Sequence, residues 1–409
     1  MSSKSNDKTR RVNACIRNKV NFISGTITPC QSNKYHNNTF NQSDIESLDI
    51  GLKYLFNMYS NKLKLSIQPK YMGSRLNMYL FKDDYLNKSY CVTRNGFKCN
   101  GLCKEELEKL YTKMYNKLKD YMIEKNIKMI IIDGELMPWS AIGSTLIDEE
   151  FMTVDAGLKS EIEYMKKYNF DDILMKQKEK LNELSKEHTS DEYKKFKSVM
   201  EIHNTETMEK MYNTYHSQME LYSKPISDTN CIDYKPFGIL KICYDDDSED
   251  IPLLSKSMSQ SEMYNILCDK TNSIEDQLII ELTDDTYDNE LQKIKEYFKN
   301  ITMNNGYEGI MLKPDYIEKD KLHMMKCRNI DYLTIIYGYD YMIEPKLTRL
   351  IKSKTTGSKI KQSINEFNSG MKMLQTKYND INTDNIQYQR LIMKYLFNEE
   401  LGQTIDPRL

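Results

Sequence analysis

The sequence predicts an α+β fold, and three observations carry that reading. Leu63, Leu65 and Ile67 alternate with Lys64, Ser66 and Gln68, the period-two pattern of a strand with one buried face. Met129-Ile130-Ile131-Ile132 and Gly238-Ile239-Leu240-Lys241-Ile242 supply further apolar strand runs. Between them, residues 158–222 are rich in Lys, Glu and Met at helical spacing, with almost no strand signal. Strand blocks and helical blocks thus occupy separate parts of the chain.

Taken in order, residues 1–20 are polar and basic and read as loosely ordered. Residues 44–60 read as a helix, capped by Ser43 or Asp44. The alternating strand then delivers Lys70. Arg75 to Phe81 and Tyr90 to Thr93 read as strands, and Arg94-Asn95-Gly96 as a turn. Residues 104–125 give the clearest helix, with Leu107, Leu110, Tyr111, Met114, Leu118, Tyr121 and Met122 on one face. The 129–132 strand ends at Asp133. After the helical block, strand character returns at 238–242 and the acidic run Asp245 to Asp250 reads as a solvated loop. A helix at 289–300 and an Asn305-Gly306 turn precede a strand running from Glu308 to Lys313. Met324 to Arg328 and Tyr332 to Tyr337 read as strands, and the chain is helical again from about 343, with clear periodicity in 387–397. The expected division is an N-terminal extension and first helix (1–60), a first core part (61–145), a helical insertion (146–231), a second core part (232–342) and a helical C-terminal module (343–409).

Composition narrows the function. The 409 residues are 29% charged and 39% hydrophobic with a net charge of −2, so basic surface for nucleic acid must be local. No apolar run approaches the ~20 residues of a membrane span, and the start carries no apolar signal core. Nine scattered cysteines read as reduced thiols of a cytoplasmic protein. Cys99 and Cys103 lack the second ligand pair of a zinc site.

A series of charged residues at strand ends carries the chemistry. Lys70 opens Lys70-Tyr71-Met72-Gly73-Ser74-Arg75. A free lysine, pKa ~10.4, is a poor nucleophile at neutral pH. Beside other cations and partly desolvated, its amine becomes available to attack a phosphorus atom. Alternation puts Asp133 and Glu135 on one face, where carboxylates accept from ribose hydroxyls or hold a metal. As a strand-end pair they are equally well explained by solubility. Phe237, after Pro236, suits stacking on a base, although such an aromatic is more often core. Glu308 and Lys313 at opposite ends of one strand suit a divalent metal and a phosphate. Lys326 and Arg328 share a face in an apolar stretch, a costly placement unless they meet anions. Lys70 taken alone reads as an ordinary surface lysine beside a turn. In this order they describe a pocket for a nucleoside triphosphate.

The set resembles the covalent nucleotidyltransferase superfamily, and most closely the RNA ligase domain of the bacterial polynucleotide kinase-phosphatase RNA repair enzymes. The resemblance rests on Lys70 to Arg75, on Asp133-Gly134-Glu135-Leu136-Met137-Pro138-Trp139-Ser140-Ala141, on Glu308 to Pro314, and on Lys326-Cys327-Arg328 with Tyr332 to Gly338. It continues through the basic stretch 346–361 to Asp406-Pro407-Arg408-Leu409. Two places depart from the pattern: Tyr71 stands where that family has His, and Pro69 where a carboxylate often precedes the nucleophile. The resemblance implies an antiparallel-rich nucleotidyltransferase core with a helical insertion and a helical C-terminal module. It implies Lys70 as the AMP-accepting nucleophile, and catalytic roles for Glu308, Lys313 and Lys326. It further implies ATP contacts from Arg75, Arg94, Glu135, Phe237, Lys313, Lys326 and Arg328, and Mg²⁺ or Mn²⁺ near Glu308 and Asp133.

The expected function is an ATP-dependent RNA ligase joining 5′-phosphate and 3′-hydroxyl RNA ends. No Gly-x-x-x-x-Gly-Lys-Ser/Thr loop is present, so end-healing is expected from a partner protein, which could also activate sealing. An mRNA capping guanylyltransferase and a non-catalytic RNA-end binding protein are the alternative readings. Lys346, Arg349, Lys352, Lys354, Lys359 and Lys361, with no acid among them, are expected to meet RNA phosphates.

Overall fold

The computed structural model describes residues 3–32, 45–99, 101–184, 204–223, 232–268, 277–304, 306–343, 346–353 and 356–398. Ser43, Asp44, Asn305, Lys354 and the terminal Asp406 to Leu409 lie outside them.

Among the described residues, ten strands make two five-stranded sheets. The strands are β1 (Thr28–Pro29), β2 (Leu63–Lys70), β3 (Ser74–Phe81), β4 (Tyr90–Thr93), β5 (Ile127–Met137), β6 (Asp233–Tyr244), β7 (Glu249–Asp250), β8 (Leu278–Leu282), β9 (Gly309–Pro314) and β10 (Met325–Arg328). The first sheet has the order β1-β10-β9-β2-β8 and the second β4-β3-β5-β6-β7. Every pairing is antiparallel except that of β1 with β10. The chain passes from one sheet to the other through Tyr71, Met72 and Gly73, directly after Lys70.

Helices cover a face of the first sheet and both faces of the second. Leu63, Leu65, Ile67, Ile310 and Leu312 pack against Leu52, Leu55 and Phe56 of helix Leu48–Met58 and Ile294 and Phe298 of helix Tyr287–Lys299. Leu76, Met78, Ile130 and Ile132 pack against Leu110, Met114 and Leu118 of helix Lys104–Glu124. Helix Gln260–Leu267, opened by a Ser259–Glu262 capping box, closes that layer. The opposite face of the second sheet, with Tyr79, Met129 and Ile131, packs against Val12, Cys15 and Ile16 and against helices Thr356–Leu374 and Ile386–Asn398. Helices Met152–Lys167 and Thr205–Ser223 form another core with Trp139, Tyr332, Leu333 and Tyr341.

Several expectations change. Residues 3–17 form a helix whose apolar side, Val12, Ala14, Cys15 and Ile16, is buried; the polar composition masks a short amphipathic stripe. The 44–60 helix starts at Leu48, capped by Ser47, whose hydroxyl accepts from the Ile50 amide. Leu333–Tyr337 is a short helix, not a strand; it follows an Asn329 side chain that accepts the Tyr332 amide, and its apolar residues pack into the helical core rather than a sheet. Strand β8 is absent from the sequence reading, its five residues too short and half-exposed for a clear alternation. The described cysteines are all free thiols. No described helix is long and apolar enough to cross a membrane.

One buried ion pair locks the first sheet. Arg328 and Glu46 are both almost fully buried and pair through the guanidinium. Glu46 also accepts from the Arg328 amide at 3.0 Å and its Nε at 3.0 Å. Removing one partner strands a buried charge, which costs about 3–5 kcal/mol. Glu46→Ala should therefore lower the midpoint of chemical denaturation by that equivalent. A midpoint unchanged within about 0.5 kcal/mol would contradict the pair's structural role.

Candidate active site

The cavity between the two sheets is built by their facing strand ends. Antiparallel pairing of β2 and β9 sets Lys70 opposite Gly309, which brings the preceding Glu308 beside it. Lys70 Nζ forms an ion pair with Glu308 Oε1, and Glu308 is 2% exposed. Gly309 is required there: a Cβ would collide with the Cys327 carbonyl of β10. Gly73 meets the same constraint, because a Cβ would run into the Leu136 carbonyl of β5.

The cavity holds about 310 Å³. Among the described residues, six cationic side chains line it, Lys70, Arg75, Arg94, Lys313, Lys326 and Arg328, against two carboxylates, Glu135 and Glu308. The excess of positive charge suits a polyanion such as a triphosphate. Phe237 completes the wall: Lys313 Nζ stands 4.5 Å and the Arg75 guanidinium 5.3 Å from its ring centre. Lys313 Nζ also donates to the Phe237 carbonyl at 3.2 Å. All the sequence-predicted site residues except Asp133 thus share one cavity.

Asp133 does not line it. Its carboxylate accepts from Arg75 Nε at 3.0 Å and Asn77 Nδ2 at 2.9 Å, and pairs with the other arm of the Arg75 guanidinium. It holds Arg75 in place rather than offering oxygens to the cavity. Arg328 lines the cavity while Glu46 grips its guanidinium from behind. The sequence reading gives Arg328 a phosphate and misses Glu46; a lone acid between Ile45 and Leu48 is the signal. It also misses Gly25, Thr26 and Ile27, which line the cavity. Ser363 Oγ donates to the Thr26 carbonyl at 2.8 Å and Glu366 accepts from the Thr26 amide at 2.5 Å, so helix Thr356–Leu374 holds that wall. Of the basic stretch 346–361, no described side chain lines the cavity, and Lys346 pairs with Asp340.

The desolvated walls shift the charged groups. Burial pushes the Glu135 carboxyl up to about 7; Lys70 and Arg75 oppose this, and Glu308 and Asp133 reinforce it. Burial pushes the Lys313 ammonium down to about 7, with nearby Arg75 adding to the shift and Asp133 opposing it. Burial and the adjacent Arg328 also hold Lys326 well below the usual lysine range. Cations kept uneasy in this way gain most when an anion arrives.

Among the described residues, no three His, Cys, Asp or Glu side chains gather to hold a metal ion unaided. Mg²⁺ needs less, since it keeps several waters and takes one or two carboxylates plus substrate phosphates. Glu308 and Glu135 in one wall fit that demand, whereas Asp133 is committed to Arg75 and Asn77.

Two antiparallel-rich sheets closing on a lysine-bearing, cation-lined cavity define a nucleotidyltransferase core. The chain belongs to the family described as the PNKP adenylyltransferase domain, ligase domain, which matches residues 53–386. Its fold is similar to that of a chain in a solved Pnkp1/Rnl/Hen1 complex, at 23% identity, full coverage of both chains and a TM-score of 0.80. A second structure, of the Pnkp1/Rnl/Hen1 RNA repair complex, matches at 23% identity, full coverage of both chains and a TM-score of 0.78. No curated protein matches the chain.

The Lys313 shift has a measurable consequence. With its pKa at about 7 in the fold and an ordinary value of 10.5, the folded chain binds fewer protons than the unfolded one between those pH values. Stability should therefore rise as pH climbs from about 7 towards about 10. Lys313→Met should flatten that rise in denaturation midpoints, and identical pH profiles for the two proteins would contradict the assignment.

Proposed function

We propose that this protein is an ATP-dependent RNA ligase that works through a lysyl-AMP intermediate on Lys70. The observation that carries the reading is Lys70 at the sheet-to-sheet crossing, paired with Glu308 and facing a cavity with an excess of cations.

The Lys70 amine attacks the α-phosphorus of ATP. A nitrogen–phosphorus bond forms, the α–β phosphoanhydride breaks and pyrophosphate leaves. Glu308, already paired with Nζ, is the nearest acceptor for the proton the ammonium sheds. Lys313 and Lys326 meet the phosphates, and their depressed proton affinity returns to normal as they do so. Phe237 offers the base a stacking face, and Glu135 and Arg75 border the ribose. A 5′-phosphate of RNA then displaces Lys70 from AMP, and a 3′-hydroxyl displaces AMP to form the phosphodiester. Glu308 and Glu135 would hold Mg²⁺ or Mn²⁺, which when bound neutralises phosphate charge. The protein itself contributes positioning and fixed charge, the larger share of catalysis in phosphoryl-type transfers. The reading includes a partner protein, since the similar chains were solved within assemblies.

Incubation with α-labelled ATP and a divalent cation should label the protein, with ATP preferred over GTP, and Lys70→Ala should abolish the label. Lys313→Ala or Lys326→Ala should slow labelling by about 10²-fold, the usual cost of one preorganised charge contact in a dry site. Undiminished labelling of the Lys70 variant would refute the proposal, and a preference for GTP would point to guanylyl transfer.

A further inference from the structure

The chain's net charge of −2 hides one basic face. Residues 8–19 contain Lys8, Arg10, Arg11, Arg17 and Lys19 and not one carboxylate. Residues 89–102 contain Arg94 and Lys98, again with none. The fold joins these two stretches. Arg11 Nε donates to the Asn95 carbonyl at 3.4 Å, and Asn18 Nδ2 donates to the Gly96 carbonyl at 3.1 Å. The Arg10 guanidinium stands 5.5 Å from the centre of the Phe97 ring. Gly96, with φ of +82°, lets the turn lie close enough to Cys15 for this docking. Arg10, Arg17 and Lys98 are exposed, and Phe97 is half-buried among them.

This face runs into the cavity. Arg94 and Asn95, on the same turn, line it beside Thr26, and Arg94 reaches the Thr26 hydroxyl at 3.5 Å. A polyanion whose end enters the cavity would pass over this turn on leaving it. Charge of one sign with an aromatic ring set among it matches a single nucleic-acid strand, which offers phosphates at regular spacing and base faces for stacking. From this continuity we infer that the 8–19 stretch and the Arg94–Lys98 turn form the track for the RNA strand whose 5′-phosphate end is held in the cavity. The inference rests on the ligase reading and adds to it a substrate path on a segment whose composition alone suggests loose order.

The test uses the full chain and a 5′-phosphorylated single-stranded RNA oligonucleotide, with direct binding measured across a salt series and self-adenylation measured alongside. The variant is R10Q/R17Q/K98Q. Removing one phosphate-binding cation lowers the log–log salt slope by ~0.7 for a single strand, so three should flatten it by about 2 and weaken binding on the order of 10- to 100-fold near 0.1 M salt. Self-adenylation should match the parent, which also shows that the variant folds. The charge-conserving R10K/R17K/K98R should bind within a few-fold of the parent. Parent-like binding by the neutralised variant overturns the inference, as does an equal loss in the charge-conserving one, which would mean packing and not charge. R349Q/K352Q/K361Q, taken from the other basic stretch, serves as the comparison: if it alone weakens binding, the track lies there and the inference fails. A parent that binds RNA but does not adenylate itself would count against the ligase reading and leave the track to be judged by the binding arms.

Discussion

The pairing register of β2 against β9 is the constraint on which the rest of the site depends. It sets Lys70 opposite Gly309 and so beside Glu308. A side chain only 2% exposed cannot hold a carboxylate cheaply, and the Lys70 ammonium offsets the loss of water. A slip of one residue would turn Lys70 to the opposite face of the sheet, into the layer of Leu65 and Ile67. The register is protected from both sides: Gly309 admits the Cys327 carbonyl, and β8 pairs along the other edge of β2.

Behind the cavity lies a second layer of carboxylates that face cations rather than solvent. Asp133 holds Arg75, and Glu46 holds Arg328. A bidentate partner costs a guanidinium its rotational freedom but fixes where its remaining donors point. Lys313 is handled differently: it meets the Phe237 ring and carbonyl and is driven towards neutrality by burial. The cavity thus combines cations that are permanently charged and rigidly placed with lysines whose charge is poised to respond to an arriving phosphate.

Much of this is legible in the sequence, for identifiable reasons. Lys70, Glu135, Glu308, Lys313 and Lys326 all stand at or near the ends of strands, where alternation and apolar runs announce both the strand and its last residues. Asp133 and Glu135 read as equivalent because they share a face; what separates them is Asn77 and Arg75 on the neighbouring strand, which is tertiary information. Glu46 is invisible as a partner because 282 residues separate it from Arg328. The N-terminal helix is hidden by its own charge, since Val12, Ala14, Cys15 and Ile16 face inward while Arg10 and Arg17 look outward. The short helix Leu333–Tyr337 reads as β in propensity, and packing overrides it.

In the proposed reaction one lysine among the three in the cavity is the nucleophile, chosen by its place opposite Gly309 and not by charge alone. Peptide mapping by mass spectrometry, after incubation with ATP and a divalent cation, tests this directly. AMP is expected on the peptide carrying Lys70 and not on those carrying Lys313 or Lys326. Adenylation of either of the latter, or a chain that stays unmodified under conditions where it binds ATP, would contradict it.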